Sequence, residues 1–94
     1  NVLLKIDGLY FNSLGNFNAA CKDEFLKTVN NALKNKKRID FITLKRIFRT
    51  PKKGEKRYFG DQVWRTSKII KYLRYFKFDI QTINGVQYIE RKNE

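Results

Sequence analysis

Two short turn sequences, one near each end of the chain, constrain the fold more than any other feature. Asp7-Gly8 and Asn84-Gly85 each separate two short segments that are rich in apolar residues. Such dipeptides favour the type I′ turn, because both central residues of that turn need a positive φ. The sequence therefore predicts two β-hairpins, over residues 2–13 and 78–91.

The turns also determine which residues face each other. A two-residue turn pairs Ile6 with Leu9 in the first hairpin and Ile80 with Ile89 in the second. One face of the hairpin is then apolar, which is the register expected where that face is buried.

Between the hairpins, apolar residues recur every three or four positions, which is typical of helices. Three helices are predicted, over about residues 19–35, 43–49 and 61–77. Asn18, Thr43 and Asp61 are the expected N-terminal caps, because their side-chain oxygens can accept hydrogen bonds from the free amides of a first turn.

These elements predict an α+β fold with an N-terminal β-hairpin, three helices and a C-terminal β-hairpin. Ninety-four residues, 41% of them hydrophobic and 15% aromatic, suffice for one domain with a single small core. Within that single domain, residues 1–18 are expected to form the N-terminal hairpin and a loop, and residues 19–91 the remaining core.

Positive charge is concentrated in the middle of the chain. Residues 34–77 hold 16 of the 21 Lys and Arg but only three acids, a net charge of +13, whereas the flanks together carry −1. Like charge at that density destabilises a compact domain unless an anionic partner neutralises it. Nucleic acid is the expected partner because its backbone releases condensed counterions on binding, whereas a solubilising surface would intersperse both signs.

The second helix and the segment after it carry many of these cations. Residues 50–60 contain the only Pro and two glycines, so they are predicted as a basic loop. The candidate phosphate contacts are Lys45, Arg46, Arg49, Lys52, Lys53, Lys56 and Arg57.

The third helix is predicted to have a buried face and an exposed basic and aromatic face. Its core face comprises Val63, Thr66, Ile69, Ile70, Leu73 and Phe76. On the opposite side, Trp64, Lys68, Lys71 and Tyr75 follow a spacing of four, three and four residues, which aligns them in one stripe. Cations interleaved with rings suit a surface that meets phosphates and bases, and the candidate base or groove contacts are Arg65, Lys68, Lys71, Tyr72 and Tyr75. Alternatively, Trp64 packs under the basic loop, and Tyr72 or Tyr75 packs against the hairpins.

The order helix, short helix, basic loop, long basic helix and Asn-Gly hairpin resembles that of winged helix-turn-helix domains. The resemblance covers residues 19–91 and implies that the third helix enters the major groove of DNA. It also implies a short strand at residues 39–41 and a wing whose tip is Asn84 and Gly85. The connection of roughly 11 residues before the third helix is longer than a standard helix-turn-helix turn of about three or four, and the wing tip lacks Lys and Arg.

We therefore expect a double-stranded DNA-binding domain, either a transcriptional regulator or an architectural protein, inside the cell in the cytoplasm, the nucleoid or the nucleus. An RNA-binding domain is the alternative, because a basic and aromatic surface serves both polymers. A module that docks on an acidic protein is a third interpretation. A Mg²⁺-dependent nuclease fragment is a fourth, with Asp79 opposite Glu90 in the hairpin and Lys92 in an E-x-K arrangement.

No enzymatic activity, cofactor or metal is expected. The chain has no His, which excludes Ser-His and Cys-His nucleophile pairs within it, and its single Cys21 has no partner for an internal disulfide. Apolar runs of three or four residues are too short to span a membrane, so no membrane partner is expected. The sequence does not indicate an oligomeric state.

Overall fold

The computed structural model describes residues 4–6, 9–50, 59–60 and 63–92 of the chain. Within these ranges the chain forms three helices and two antiparallel sheets, which confirms the α+β class. In chain order the elements are β1 (Leu4–Ile6), β2 (Leu9–Phe11), α1 (Leu14–Ala32), β3 (Arg38–Asp40), α2 (Phe41–Arg49), α3 (Thr66–Tyr75), β4 (Asp79–Ile83) and β5 (Val86–Glu90).

Both hairpins adopt the registers that their turns predict. Ile6 pairs with Leu9 in the β1–β2 sheet, and Ile80 pairs with Ile89 between β4 and β5. Asn84 and Gly85 have φ values of 51° and 79°, the two positive angles that a type I′ turn requires. The Asp7-Gly8 turn lies outside the described residues.

The strand β3 adds to the C-terminal hairpin and makes a three-stranded antiparallel sheet in the order β3-β5-β4. Arg38 pairs with Glu90, and Asp40 pairs with Tyr88. The strand is therefore one residue earlier than the predicted 39–41. Phe41 is instead the first residue of α2 and is buried.

The first helix begins earlier than predicted. Ser13 caps α1, and its Oγ accepts a hydrogen bond of 3.1 Å from the Asn16 amide. The prediction of Asn18 as the cap is wrong, since Asn18 lies inside the helix. The helical spacing of apolar residues extends back to Phe17, which is buried in the core. Phe17 therefore belongs to the helix, and the helix begins in the turn before it.

The cap of the second helix also differs from the prediction. Asp40 precedes α2, and its Oδ2 accepts hydrogen bonds from both the amide and the hydroxyl of Thr43, at 3.0 and 2.9 Å. Thr43 thus donates to the cap instead of being the cap. These bonds hold the pKa of Asp40 below its ordinary value.

The third helix is shorter than the predicted 61–77. It starts at Thr66 because Arg65 has an extended backbone and because Val63 and Trp64 form a tight turn onto the Gly60 carbonyl, at 3.1 and 3.0 Å. Sixteen residues, 50–65, therefore separate α2 from α3. Asp61, the predicted cap, lies outside the described residues.

An aromatic cluster forms the centre of the core. Phe25 on α1 is fully buried, and its ring lies 5.2 Å from Phe48, 5.5 Å from Tyr72 and 6.0 Å from Trp64. Because these rings come from all three helices and from the segment before α3, the cluster fixes the position of α3 against α1 and α2.

Candidate nucleic-acid interface

The helices α2 and α3 carry positive charge without any acid. Their sequences contain six basic residues and no Asp or Glu, whereas α1 has two basic and two acidic residues. Basic side chains from the first to the last turn of α3 reach solvent. The exposed cations in or next to these two helices are Arg46, Arg65, Lys71 and Arg74.

Trp64 and Tyr72 do not lie on the exposed face of α3. Trp64 is fully buried, and its ring centroid lies 4.8 Å from that of Phe48. Tyr72 is 6% exposed, and burial raises the pKa of its phenol. The prediction of an exposed Trp64 is wrong because the residue precedes α3 and the tight turn directs its ring into the core. Tyr72 belongs to the core and not to a base-contacting surface.

Tyr75 is exposed, in agreement with the predicted stripe. Its side chain is 59% accessible, and the Lys22 Nζ of α1 lies 4.8 Å from its ring centroid and 3.5 Å from its hydroxyl. The ring also packs edge-on against Phe76, at 4.9 Å. One face of Tyr75 is thus fixed by α1, and a large part of the ring remains accessible.

Lys68 is half-buried between α1 and α3. Its Nζ lies 4.6 Å from the ring centroid of Phe17 and 5.8 Å from those of Trp64 and Tyr72. A cation over ring faces is stabilised electrostatically without being neutralised. The side chain is therefore held in place as a charged group, and it is less able to extend into a groove than the exposed Lys71.

The candidate phosphate contacts of α2 have different environments. Arg46 is exposed, and Lys45 is half-buried with its Nζ 5.3 Å from the Phe41 ring. Arg49 donates from Nε to the Trp64 carbonyl at 3.0 Å and from a terminal nitrogen to the Thr66 hydroxyl at 3.2 Å. Arg49 thus connects the end of α2 to the start of α3.

The basic loop contributes four further candidates that lie outside the described residues: Lys52, Lys53, Lys56 and Arg57.

At the wing tip, both Asn84 and Gly85 are exposed, as are the flanking Ile83 and Val86. The described surface of the tip thus comprises these two apolar side chains, the Asn84 side chain and the backbone of the turn.

A second group of exposed cations lies away from that tip. Lys34, Lys36 and Lys37 connect α1 to β3, and they are exposed. Arg38 follows them and pairs with Glu90, the last residue of β5, which is about 13 Å along the strand from the turn. Arg38 therefore lies at the end of the sheet opposite the Asn84-Gly85 tip, and the three lysines precede it in the chain.

Two other groups were candidates for chemistry: the acidic pair Asp79 and Glu90, and the thiol of Cys21. Asp79 faces Glu90 in the predicted register, but no group of three or more His, Cys, Asp or Glu residues in the described ranges could hold a metal ion. Cys21 is fully buried, and burial raises the pKa of its thiol, which disfavours the reactive thiolate.

A surface cleft lies between α1 and the first half of α3. It has a volume of about 310 Å³ and is lined by Asn18, Ser67, Lys68, Lys71 and Tyr72. Sequence reasoning did not select Ser67, although its spacing of four from Lys71 places both on one face of a helix. Asn18 was predicted only as a helix cap. No sequence pattern within α1 or within α3 indicates that the two helices bring these side chains together.

Comparisons with family models, curated proteins and solved structures find no match to the chain. No helix in the described parts of the chain has the length and apolar character needed to cross a membrane.

Proposed function

We propose that this protein is a non-enzymatic, double-stranded DNA-binding domain with a winged-helix arrangement, acting as a transcriptional regulator or an architectural protein. In this proposal α3 enters the major groove and the Asn84-Gly85 turn is the tip of a wing near the backbone. Because DNA is the partner, we propose an intracellular location, in the cytoplasm, the nucleoid or the nucleus.

The observation that carries the proposal is the charge of α2 and α3. Six cations and no acid in two adjacent helices produce a local positive field that a neutral partner would not use. The balanced composition of α1 shows that the bias is local and not a property of every helix of the chain.

The order of elements supports the winged-helix part of the proposal. After α1, the chain runs through β3, α2, α3 and the β4–β5 hairpin, and β5 lies between β3 and β4 in the sheet. A helix of 10 residues is about 15 Å long, and a major groove about 12 Å wide admits a helix.

The basic and aromatic residues in and next to α2 and α3 have proposed roles that follow from their environments. Arg65 and Lys71 are exposed and free to reach phosphates or guanine acceptors, and Tyr75 offers an accessible ring at the end of the helix. Arg46 on α2 would contact the backbone. Arg49 would act indirectly, by positioning the start of α3 through Trp64 and Thr66.

A salt titration of binding tests the proposal. If six to eight phosphates are neutralised, the logarithm of affinity for a duplex should fall with the logarithm of salt concentration at a slope of roughly −5 to −7. Duplex DNA, structured RNA and single strands are compared at one salt concentration. A slope near zero contradicts the electrostatic basis, and a clear preference for RNA contradicts the assignment to DNA.

A further inference from the structure

The cleft between α1 and α3 combines fixed charge with hydrogen-bond donors. We call it the α1–α3 cleft, defined by Asn18, Ser67, Lys68, Lys71 and Tyr72. Its volume of about 310 Å³ is at the lower end of the roughly 300–1,000 Å³ typical of small-ligand pockets. Its described lining includes two lysines and no carboxylate, so the site is suited to a small anion.

Lys68 is the feature that distinguishes this cleft from an ordinary basic surface. An exposed lysine loses side-chain entropy when it binds an anion and is immobilised. The Lys68 ammonium already lies over the Phe17 ring at 4.6 Å and near two other rings. The ammonium also interacts with the buried Cys21 thiol by charge and by a side-chain hydrogen bond. Since an ammonium has three N–H donors and rings are poor hydrogen-bond acceptors, the other N–H groups of Lys68 can serve a ligand in the cleft.

The start of α3 adds further donors to the same place. Arg65 provides no side-chain cap, and the first intrahelical bond runs from the Ile69 amide to the Arg65 carbonyl at 3.0 Å. Ser67 and Lys68, which line the cleft, belong to the first turn of α3, and helix N-termini favour negative charge. The Ser67 hydroxyl and the Asn18 amide group can donate to an oxygen in the cleft.

We propose that the α1–α3 cleft binds one phosphodiester group of the nucleic-acid backbone. Lys68 and Lys71 neutralise the phosphate, and Ser67 donates a hydrogen bond to it. The inference rests on the proposed function, and it changes the roles of Lys68 and Lys71 from base or groove contacts to phosphate contacts. A phosphate held between two helices fixes the position of α3 on the duplex without reading sequence.

The first experiment titrates the folded protein with inorganic phosphate alone and follows backbone amides by NMR at constant ionic strength with chloride. The expected result is saturable shifts confined to Asn18, Ser67, Lys68 and Lys71. Lys71→Gln should weaken this binding at least threefold, and Lys27→Gln, an exposed lysine on α1, should leave it unchanged. Shifts that do not saturate, or that persist equally in Lys71→Gln, overturn the assignment of the cleft.

The second experiment measures duplex affinity at fixed salt for Lys71→Gln, Ser67→Ala and Lys68→Met, whose aliphatic stem keeps the ring contacts. Each lysine variant should lose about tenfold, as expected for a charge-assisted contact, and by the same factor on every duplex sequence. Ser67→Ala should lose less, and Lys27→Gln should bind as the parent does. Losses that depend on duplex sequence return Lys68 and Lys71 to base reading and overturn the inference.

The two experiments separate the inference from the proposed function. If the cleft binds phosphate but the protein binds no duplex, the DNA-binding proposal fails and the cleft remains an anion site. If the protein binds duplex DNA with the expected salt slope while the cleft variants bind normally, the function stands and the inference fails.

Discussion

The helices α1 and α3 pack against each other but differ in length, in capping and in charge. α1 has 19 residues, a Ser13 cap and balanced charge, and it supplies Phe25 to the centre of the core. α3 has 10 residues, no side-chain cap and three cations without an acid. From this difference we expect a division of roles, in which α1 contributes more to stability and the exposed face of α3 carries charge at a cost in stability.

The largest expected effect concerns the residue that fixes α3 against α1. Trp64→Ala should reduce the free energy of unfolding by about 3–5 kcal/mol, because the fully buried ring contacts Phe25, Phe48 and Tyr72. Urea denaturation measures the change. Tyr75→Ala, which removes an exposed ring at the end of α3, is the control and should cost about 1 kcal/mol or less, because only the contacts with Lys22 and Phe76 are lost. Similar losses in both variants would contradict the distinction between core and surface aromatics.

The behaviour of Trp64 also shows where sequence reasoning is strong and where it fails. The hairpin registers were predictable because Asn84-Gly85 and the alternation beside it are local signals. The orientation of Trp64 was not, because the helical spacing assumed that the helix continued back to Asp61. The helix begins at Thr66, after the tight turn of Val63 and Trp64 onto the Gly60 carbonyl. The packing of the Trp64 ring against Phe25 and Phe48 is tertiary and leaves no signal in the local spacing.

The candidate site was predictable to a similar extent. Charge content located the basic helices, and Arg65, Lys71 and Tyr75 are exposed as expected. The pattern could not reveal that Lys68 lies over Phe17, a residue 51 positions earlier in the chain, because that contact depends on how α1 crosses α3. The composition likewise could not show that Arg38 lies on the sheet, whereas Lys71 and Arg74 lie on α3.

The second effect tests whether α3 sacrifices stability for charge. Arg65 has the extended backbone of a cap position, with φ −77° and ψ 157°, but no capping bond. Arg65→Asp should therefore raise the free energy of unfolding by about 1 kcal/mol, since Asp accepts bonds from the first-turn amides. It should also weaken duplex binding by about tenfold or more, because a cation is replaced by an anion.

Thermal or urea unfolding and duplex titration check these two opposite changes. Lys27→Asp on α1 is the control for charge alone, and it should affect binding far less. If Arg65→Asp lowers stability and leaves affinity unchanged, the proposed division of roles between α1 and α3 is wrong at this position.

A third effect concerns the side-chain caps. Asp40→Ala should cost about 1 kcal/mol, because the variant loses both bonds from Thr43. Since the pKa of Asp40 is lower in the folded state, its stabilising contribution is fully present above the ordinary Asp pKa of about 3.9 and is lost as the pH falls through the lowered folded value. Urea unfolding between pH 7 and pH 2 should therefore show the parent and Asp40→Ala converging in acid. Ser13→Ala has a cap that does not titrate, and its deficit should persist at low pH.

The smallest effect compares two reciprocal contacts, since each helix places a lysine over a ring of the other. Lys22 of α1 lies 4.8 Å from the ring of Tyr75, and Lys68 of α3 lies 4.6 Å from that of Phe17. Lys22→Met should cost only about 0.5 kcal/mol, as expected for an exposed cation–π pair, and it should weaken duplex binding much less than Lys68→Met does. The two contacts look alike in distance, so equal losses of affinity would mean that general charge controls binding, whereas unequal losses would show that the position of a lysine on α3 does.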